Sequence, residues 1–166
     1  MSTARPSSRP CPLYDGASYD VTTSVGHQLV QLMTLMRREV EQRMAVHGLT
    51  DAQWKPLMLL SNGRAGNANE MARLMDVDAG AVTRLLDRLE TKGLLERVRS
   101  ESDRRVVHLR LTVAGEAVAA QVPHVLAAVN NDFLRGFSEA DFEHLGRLLG
   151  QMTANGCALI SERDAA

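Results

Sequence analysis

The sequence predicts a mainly α-helical domain that carries one small β-hairpin. Three observations predict it. Apolar residues recur at three- and four-residue spacing over most of the chain. Helix-capping residues stand at the starts of those stripes. One stretch, Val107 to Leu111, instead alternates apolar and polar residues, as a strand with one buried face does. At 166 residues the chain is long enough for one domain with a real core.

The elements follow in order. "STARPSSRPCP" is rich in Ser, Pro and Arg, and residues 1–20 read as a disordered tail. Val25, Leu29, Leu32, Met33, Met36, Val40 and Met44 form a helical stripe, which Gly48 of "HGLT" can close in the left-handed conformation. Thr50 and Gln53 make a capping box for the helix "DAQWKPLMLLS", whose first turns Pro56 should bend or loosen. "NGRAG" is a turn. Asn67 and Glu70 open a short helix with Met71, Leu74 and Met75 on one face, and "DVD" breaks it. Asp78 caps the next, in which Val82, Leu85, Leu86 and Leu89 face inward until Gly93 ends it. "LLERV" begins the hairpin, and Val107, Leu109 and Leu111 line its return strand. Thr112 caps a long helix through Val118, Val122, Val125, Leu126, Val129 and Phe133, with a kink expected at Pro123. Ser138 and Asp141 open a last helix through Phe142, Leu145, Leu148, Leu149 and Met152.

Composition narrows the function. No apolar run approaches membrane-spanning length, and there is no apolar signal core at the N-terminus, so a cytoplasmic protein is expected. Cys11 and Cys157 form neither a metal spacing nor a disulfide framework, and read as free thiols. No metal-ligand spacing, Gly-rich phosphate loop or nucleophile motif is present, so no catalytic residue, metal or cofactor is expected. Charge is uneven. From Arg84 to Arg110 eight Arg or Lys stand against five acids, in a chain whose formal net charge is -1. A local basic edge of that kind suits a polyanion.

A short helix, a three-residue turn and a second helix make a helix-turn-helix, and the hairpin after it makes a wing. "MARLMDVDAGAVTRLLDRLETKGLLERVRSESDRRVVHLRLTVAGEAV" strongly resembles this part of the MarR family of bacterial transcription regulators. "VTRLLDRLETKGLLER" and the wing's "DRR", followed by "LRLT", are the most specific parts, and "HGLTDAQW" is similar to the family's first helix junction. The resemblance covers residues 24 to 158. It implies a winged-helix homodimer on short pseudo-palindromic DNA, usually a repressor released by a small molecule. Residues 21–160 then form one MarR-like domain, with a DNA-binding lobe over 50–112 and dimerisation helices over 21–48 and 113–160.

On the second helix of the motif the outward positions are Asp78, Ala79, Gly80, Thr83, Arg84 and Arg88. Small residues at its start allow a close approach to base edges. Thr83 can touch a thymine methyl or a phosphate, and Arg84 can bond guanine through two hydrogen bonds. The resemblance makes Arg104 the wing arginine that enters the minor groove, and Asp103 the acid that holds the wing arginines. Arg99 and Arg105 read as phosphate clamps, which add affinity but no sequence reading.

For the effector, the resemblance implies an aromatic carboxylate held between the dimerisation helices and the DNA-binding lobe. Matching positions are His27, Gln28, Met36, Arg38, Trp54 and Lys55. Trp54 can form an aromatic wall, and His27 or Lys55 can meet an anion. Taken singly, each reads first as an ordinary residue, Trp54 of the core, His27 of a helix surface and Lys55 of a solvated face. Relatives that bind aromatic acids often place an Arg near the start of the first helix, where this chain has "GHQL". Two alternative functions stand beside this one. One is a thiol-based peroxide sensor, for which Cys11 lies too far upstream of "GLT". The other is a winged-helix protein-interaction module, which would not need an outward Thr-Arg face beside an arginine-tipped hairpin.

Overall fold

In the computed structural model, which describes residues 12–99 and 107–165, a single 3₁₀ turn (Val21–Thr23) leads into α1 (Val25–Ala45). There follow α2 (Asp51–Ser61), α3 (Ala68–Met75), α4 (Ala79–Thr91), β1 (Leu95–Arg99), β2 (Val107–Leu111), α5 (Val113–Phe133) and α6 (Glu139–Asp164). The mainly helical fold with one antiparallel hairpin is the one expected.

Each helix starts where its capping residue stands. Ser24, Asn67, Asp78, Thr112 and Ser138 accept from the backbone N–H three residues on. For α2, the Thr50 N–H donates to Gln53 Oε1 (3.1 Å), and the two residues form the capping box. Such caps satisfy N–H groups that the helix itself leaves without partners. Gly48 and Gly93 take positive φ (70° and 68°) just past α1 and α4, where a side chain would be strained. The helices α2 and α5 continue through Pro56 and Pro123.

Within the segment read as a disordered tail, residues 12–20 are among those described, and contacts tie them to α1. The Val25 N–H donates to Tyr14 Oη (2.9 Å), and the Tyr14 and Tyr19 rings meet edge-on at 5.4 Å. Asp20 accepts from Thr22 N and caps the 3₁₀ turn.

The core lies where α2 meets its neighbours. Met44, Leu57, Met71, Val82, Leu86, Leu89, Leu95, Val122 and Val129 are fully buried there. They come from the end of α1, from α2, α3, α4 and β1, and from the middle of α5. In the hairpin, Leu95 pairs with Leu111, Arg97 with Leu109 and Arg99 with Val107. Leu109 is buried and Leu111 half-buried, but Val107 is exposed. The alternating face is thus buried at the base of the hairpin and open at Val107, the described residue of β2 farthest from that base. The Leu109 N–H also donates to Gly66 O (2.8 Å), fastening β2 to the turn before α3.

The two ends of the chain behave differently. Only Val40 and Met44 of α1 are buried, and α6 buries none of its residues. Among the described residues, no helix is long and apolar enough to cross a membrane.

Candidate nucleic-acid interface

Local chemistry builds the helix-turn-helix. Asn67 Oδ1 accepts from the Glu70 N–H (3.0 Å), while Glu70 Oε2 accepts from the Gly66 N–H (2.7 Å). The Gly66 bond is the main reason that the Glu70 carboxyl sits below its ordinary range. α3 stops at Asp76, whose φ of 53° is left-handed, a conformation that short polar Asp tolerates. Two residues later Asp78 accepts from the Ala81 N–H (3.0 Å) and starts α4.

That bond bears on the candidate set. Asp78 is the cap that positions α4, so its carboxylate already serves the helix. Ala79 and Gly80 are exposed at the first turn, and a Cβ added at Gly80 would lie 3.0 Å from Asp78 Oδ1. Thr83 Oγ1 donates to Ala79 O (2.9 Å), which leaves its methyl group and its lone pairs for an outside partner. Arg84 and Arg88 are exposed one turn apart on the same face, and neither is in a salt bridge among the described residues. Arg99 is exposed at the far end of β1. Asp103, Arg104 and Arg105 lie outside the described residues.

Two other bases of the same segment are engaged within the protein. Lys92 Nζ donates to Gly48 O (2.6 Å) and Gln53 Oε1 (2.7 Å), which straps the end of α4 to the α1–α2 junction. Arg97 bonds Asp87 (2.7 Å) and Glu90 on α4. Counting charge along the sequence treats all the bases alike, so these two roles were missed. The available signal was the pair of acids three residues apart on a helix that otherwise presents arginines.

The ligand candidates do not converge on one cavity. Arg38 lines a cleft of about 440 Å³ between α1 and α2, with Arg37, Glu41 and Asp51 beside it. His27 and Gln28 lie 11 and 10 residues earlier on α1, about 15 Å away at 1.5 Å per residue. Gln28 Nε2 donates to Thr23 O (3.0 Å), and Trp54 Nε1 donates to Asp51 Oδ1 (3.2 Å). Met36 is half-buried and Lys55 exposed. A second cleft, about 270 Å³, was not expected. Ala52, Met75, Val77, Ala81 and Leu85 line it, together with Arg84 and Arg88.

Cys157 is exposed on α6, whereas Cys11 lies outside the described residues. Among the described residues, no group of three or more His, Cys, Asp or Glu is placed to hold a metal.

The same arrangement of helices and hairpin occurs in solved proteins. The sequence pattern of the MarR family matches residues 49–107, which contain the helix-turn-helix and β1. The crystal structure of the transcriptional regulator PA3341 is 32% identical, with a TM-score of 0.66, over 80% of this chain and 97% of that one. The reduced form of MarR from E. coli is 25% identical, with a TM-score of 0.70, over 78% of this chain and 96% of that one. A mutant MarR from E. coli complexed with operator DNA is also 25% identical, with a TM-score of 0.70, over 81% of this chain and 99% of that one. With the helix-turn-helix, the hairpin and these likenesses in agreement, the chain belongs to the MarR family of winged-helix, DNA-binding transcription regulators.

Proposed function

We propose that this protein represses transcription by binding a pseudo-palindromic operator as a homodimer, and that a small aromatic acid releases it. The observation that carries the reading is the outer face of α4. There Arg84 and Arg88 stand exposed and free of salt bridges among the described residues, beyond the small residues Ala79 and Gly80. A helix of this kind fits a major groove, and an exposed arginine such as Arg84 can bond guanine through two hydrogen bonds. Asp78 serves the interface by holding the first turn of α4, while Thr83, Arg88 and Arg99 supply methyl, phosphate and phosphate contacts. Asp103, Arg104 and Arg105 belong to the reading through resemblance.

Two recognition helices related by a twofold axis read half-sites about one helical turn, ~10 base pairs, apart. Selection of bound duplexes from a random-sequence pool, followed by footprinting, tests the reading. It is expected to recover an inverted repeat, and Arg84→Ala is expected to lose discrimination at one base pair of each half-site. Discrimination at that position should fall by about 1–3 kcal/mol. Enrichment without an inverted repeat would refute the dimeric reading.

The effector can act in two ways. A ligand between the dimerisation helices and the lobe, near Arg38, would favour a dimer whose recognition helices are wrongly spaced. The cleft beside Arg84 and Arg88 favours a second reading, because its apolar lining and two guanidinium groups suit an aromatic carboxylate. An acid bound there would take the groups that DNA needs. Titration separates the two. Direct competition raises the apparent DNA Kd in proportion to effector without limit, whereas coupling between separate sites saturates.

A further inference from the structure

Arg97 sits at the centre of β1, opposite Leu109 of β2. Its Nη2 lies 2.7 Å from Asp87 Oδ1, and its Nη1 bonds Glu90 Oε2. Asp87 and Glu90 are three residues apart on α4, so both carboxylates stand over one face of the helix. The Arg97 side chain is 29% exposed, less than either partner.

Two facts ask for a reason. A helix that presents Arg84 and Arg88 to a polyanion also carries two acids, each of which would repel phosphate. The hairpin, moreover, has only two strands, and such a hairpin has little stability of its own. The planar fork of one guanidinium meets both needs. It neutralises the acids and ties the strand to the helix at a set angle, which a lysine ammonium, lacking the fork, cannot do.

We propose that Arg97 is a positioning residue that sets the angle between α4 and the hairpin, and so the separation of their two contacts on DNA, without touching DNA itself. The proposal rests on the reading above, in which both α4 and the hairpin meet the operator. Partly exposed ion pairs contribute little to stability, so the effect of losing this one belongs in discrimination between sequences.

The test compares full-length wild type with Arg97→Gln, Arg97→Lys, the double variant Asp87→Asn/Glu90→Gln, and Arg84→Ala. Each is titrated at several salt concentrations against the duplex that wild type selects from a random pool, and against a shuffled duplex of the same composition. Melting temperatures are measured alongside. Arg97→Gln is expected to weaken the selected duplex about tenfold and the shuffled one by no more than about twofold, with an unchanged salt slope. Arg97→Lys keeps the charge but not the fork, so it should show most of the same loss, and it carries the test if the Gln variant melts early. The double variant removes negative charge from the DNA-facing lobe. It should bind shuffled DNA more tightly and the selected duplex less tightly.

Equal affinity of wild type and Arg97→Gln for the selected duplex would overturn the proposal. So would equal losses on both duplexes with a slope smaller by about one unit, which marks a phosphate contact. Arg84→Ala keeps the two claims apart. Unchanged affinity there overturns the reading of α4 as the DNA face, whatever Arg97 does.

Discussion

Gly115, in the first turn of α5, stands against the backbone of Leu94. A Cβ built there would lie 1.8 Å from Leu94 O and 2.8 Å from its carbonyl carbon. Both are main-chain atoms at the start of the hairpin, so no side-chain rotation relieves the clash. Thr112 holds the same junction, its N–H donating to Leu94 O (3.2 Å) and its hydroxyl to Gly93 O (2.6 Å). Gly115→Ala sets two effects against each other. Helix propensity favours Ala by up to about 1 kcal/mol. Overpacking against fixed atoms typically costs about 1–3 kcal/mol, and a contact this short falls at the upper end or beyond. The clash wins. The variant is expected to be less stable by about 2 kcal/mol in urea titration, and an unchanged midpoint would mean that α5 can shift away from Leu94 freely.

At the scale of elements, the helices are held to one another by charged side chains at their ends. Lys92 straps α4 to the α1–α2 junction, and Arg43, itself steadied by Glu39 Oε1 one turn back on α1 (2.7 Å), ties α1 to α5 by donating to Asp132 Oδ2 (2.6 Å). Asp132 also accepts from Arg135 (2.9 Å). Its hydrogen bond from Arg43, then that from Arg135, holds the Asp132 carboxyl below the ordinary aspartate range. A depressed carboxyl stabilises the fold fully above its unfolded pKa, about 4, and that contribution is lost as pH falls through the lower folded value. Asp132→Asn is therefore expected to be less stable than wild type at pH 6, with the gap closing as pH falls below about 4. Denaturant titrations from pH 3 to 6 measure this. Glu70 and Asp141 are depressed too, so the variant keeps an acid limb of its own. A gap that stays constant across the range would show that the Arg43–Asp132 pair carries no pH-linked stability.

At the scale of the whole molecule, large apolar side chains stand exposed along both end helices, and contiguous apolar patches mark interaction surfaces. Phe142, Leu148, Leu149 and Met152 of α6, with Val25, Leu32 and Met33 of α1, are all exposed, although they lie on the helical stripes that the sequence shows. A second copy covering both ends of the chain would bury these stripes and would bring two α4 helices to one DNA face. Leu149→Glu is expected to give monomers at micromolar concentration by light scattering. The helical content should persist, because α6 buries none of its residues within this chain. Operator affinity should fall by well over tenfold, since a monomer reads one half-site. A variant that remained dimeric and bound the operator as wild type does would move the interface away from α6.

The sequence by itself determined the elements and their order, because the signals that start, stop and orient them are local. Caps at Asn67, Asp78, Thr112 and Ser138, the Thr50–Gln53 box and the glycines after α1 and α4 each act over three or four residues. The Thr83, Arg84 and Arg88 face of α4 was legible for the same reason: with 3.6 residues per turn, burying Val82, Leu86 and Leu89 exposes them. Tertiary structure alone decided which bases are engaged within the protein. Arg84 and Arg97 are equivalent in a count of charge, yet the chain must fold before β1 lies beside α4 and Arg97 meets Asp87 and Glu90. It likewise built a cleft from Ala52, Val77 and Arg88, which lie 25 and 11 residues apart in sequence. Periodicity marks the side of a helix that avoids water, but what covers that side depends on contacts between distant segments, as the open stripe of α6 shows.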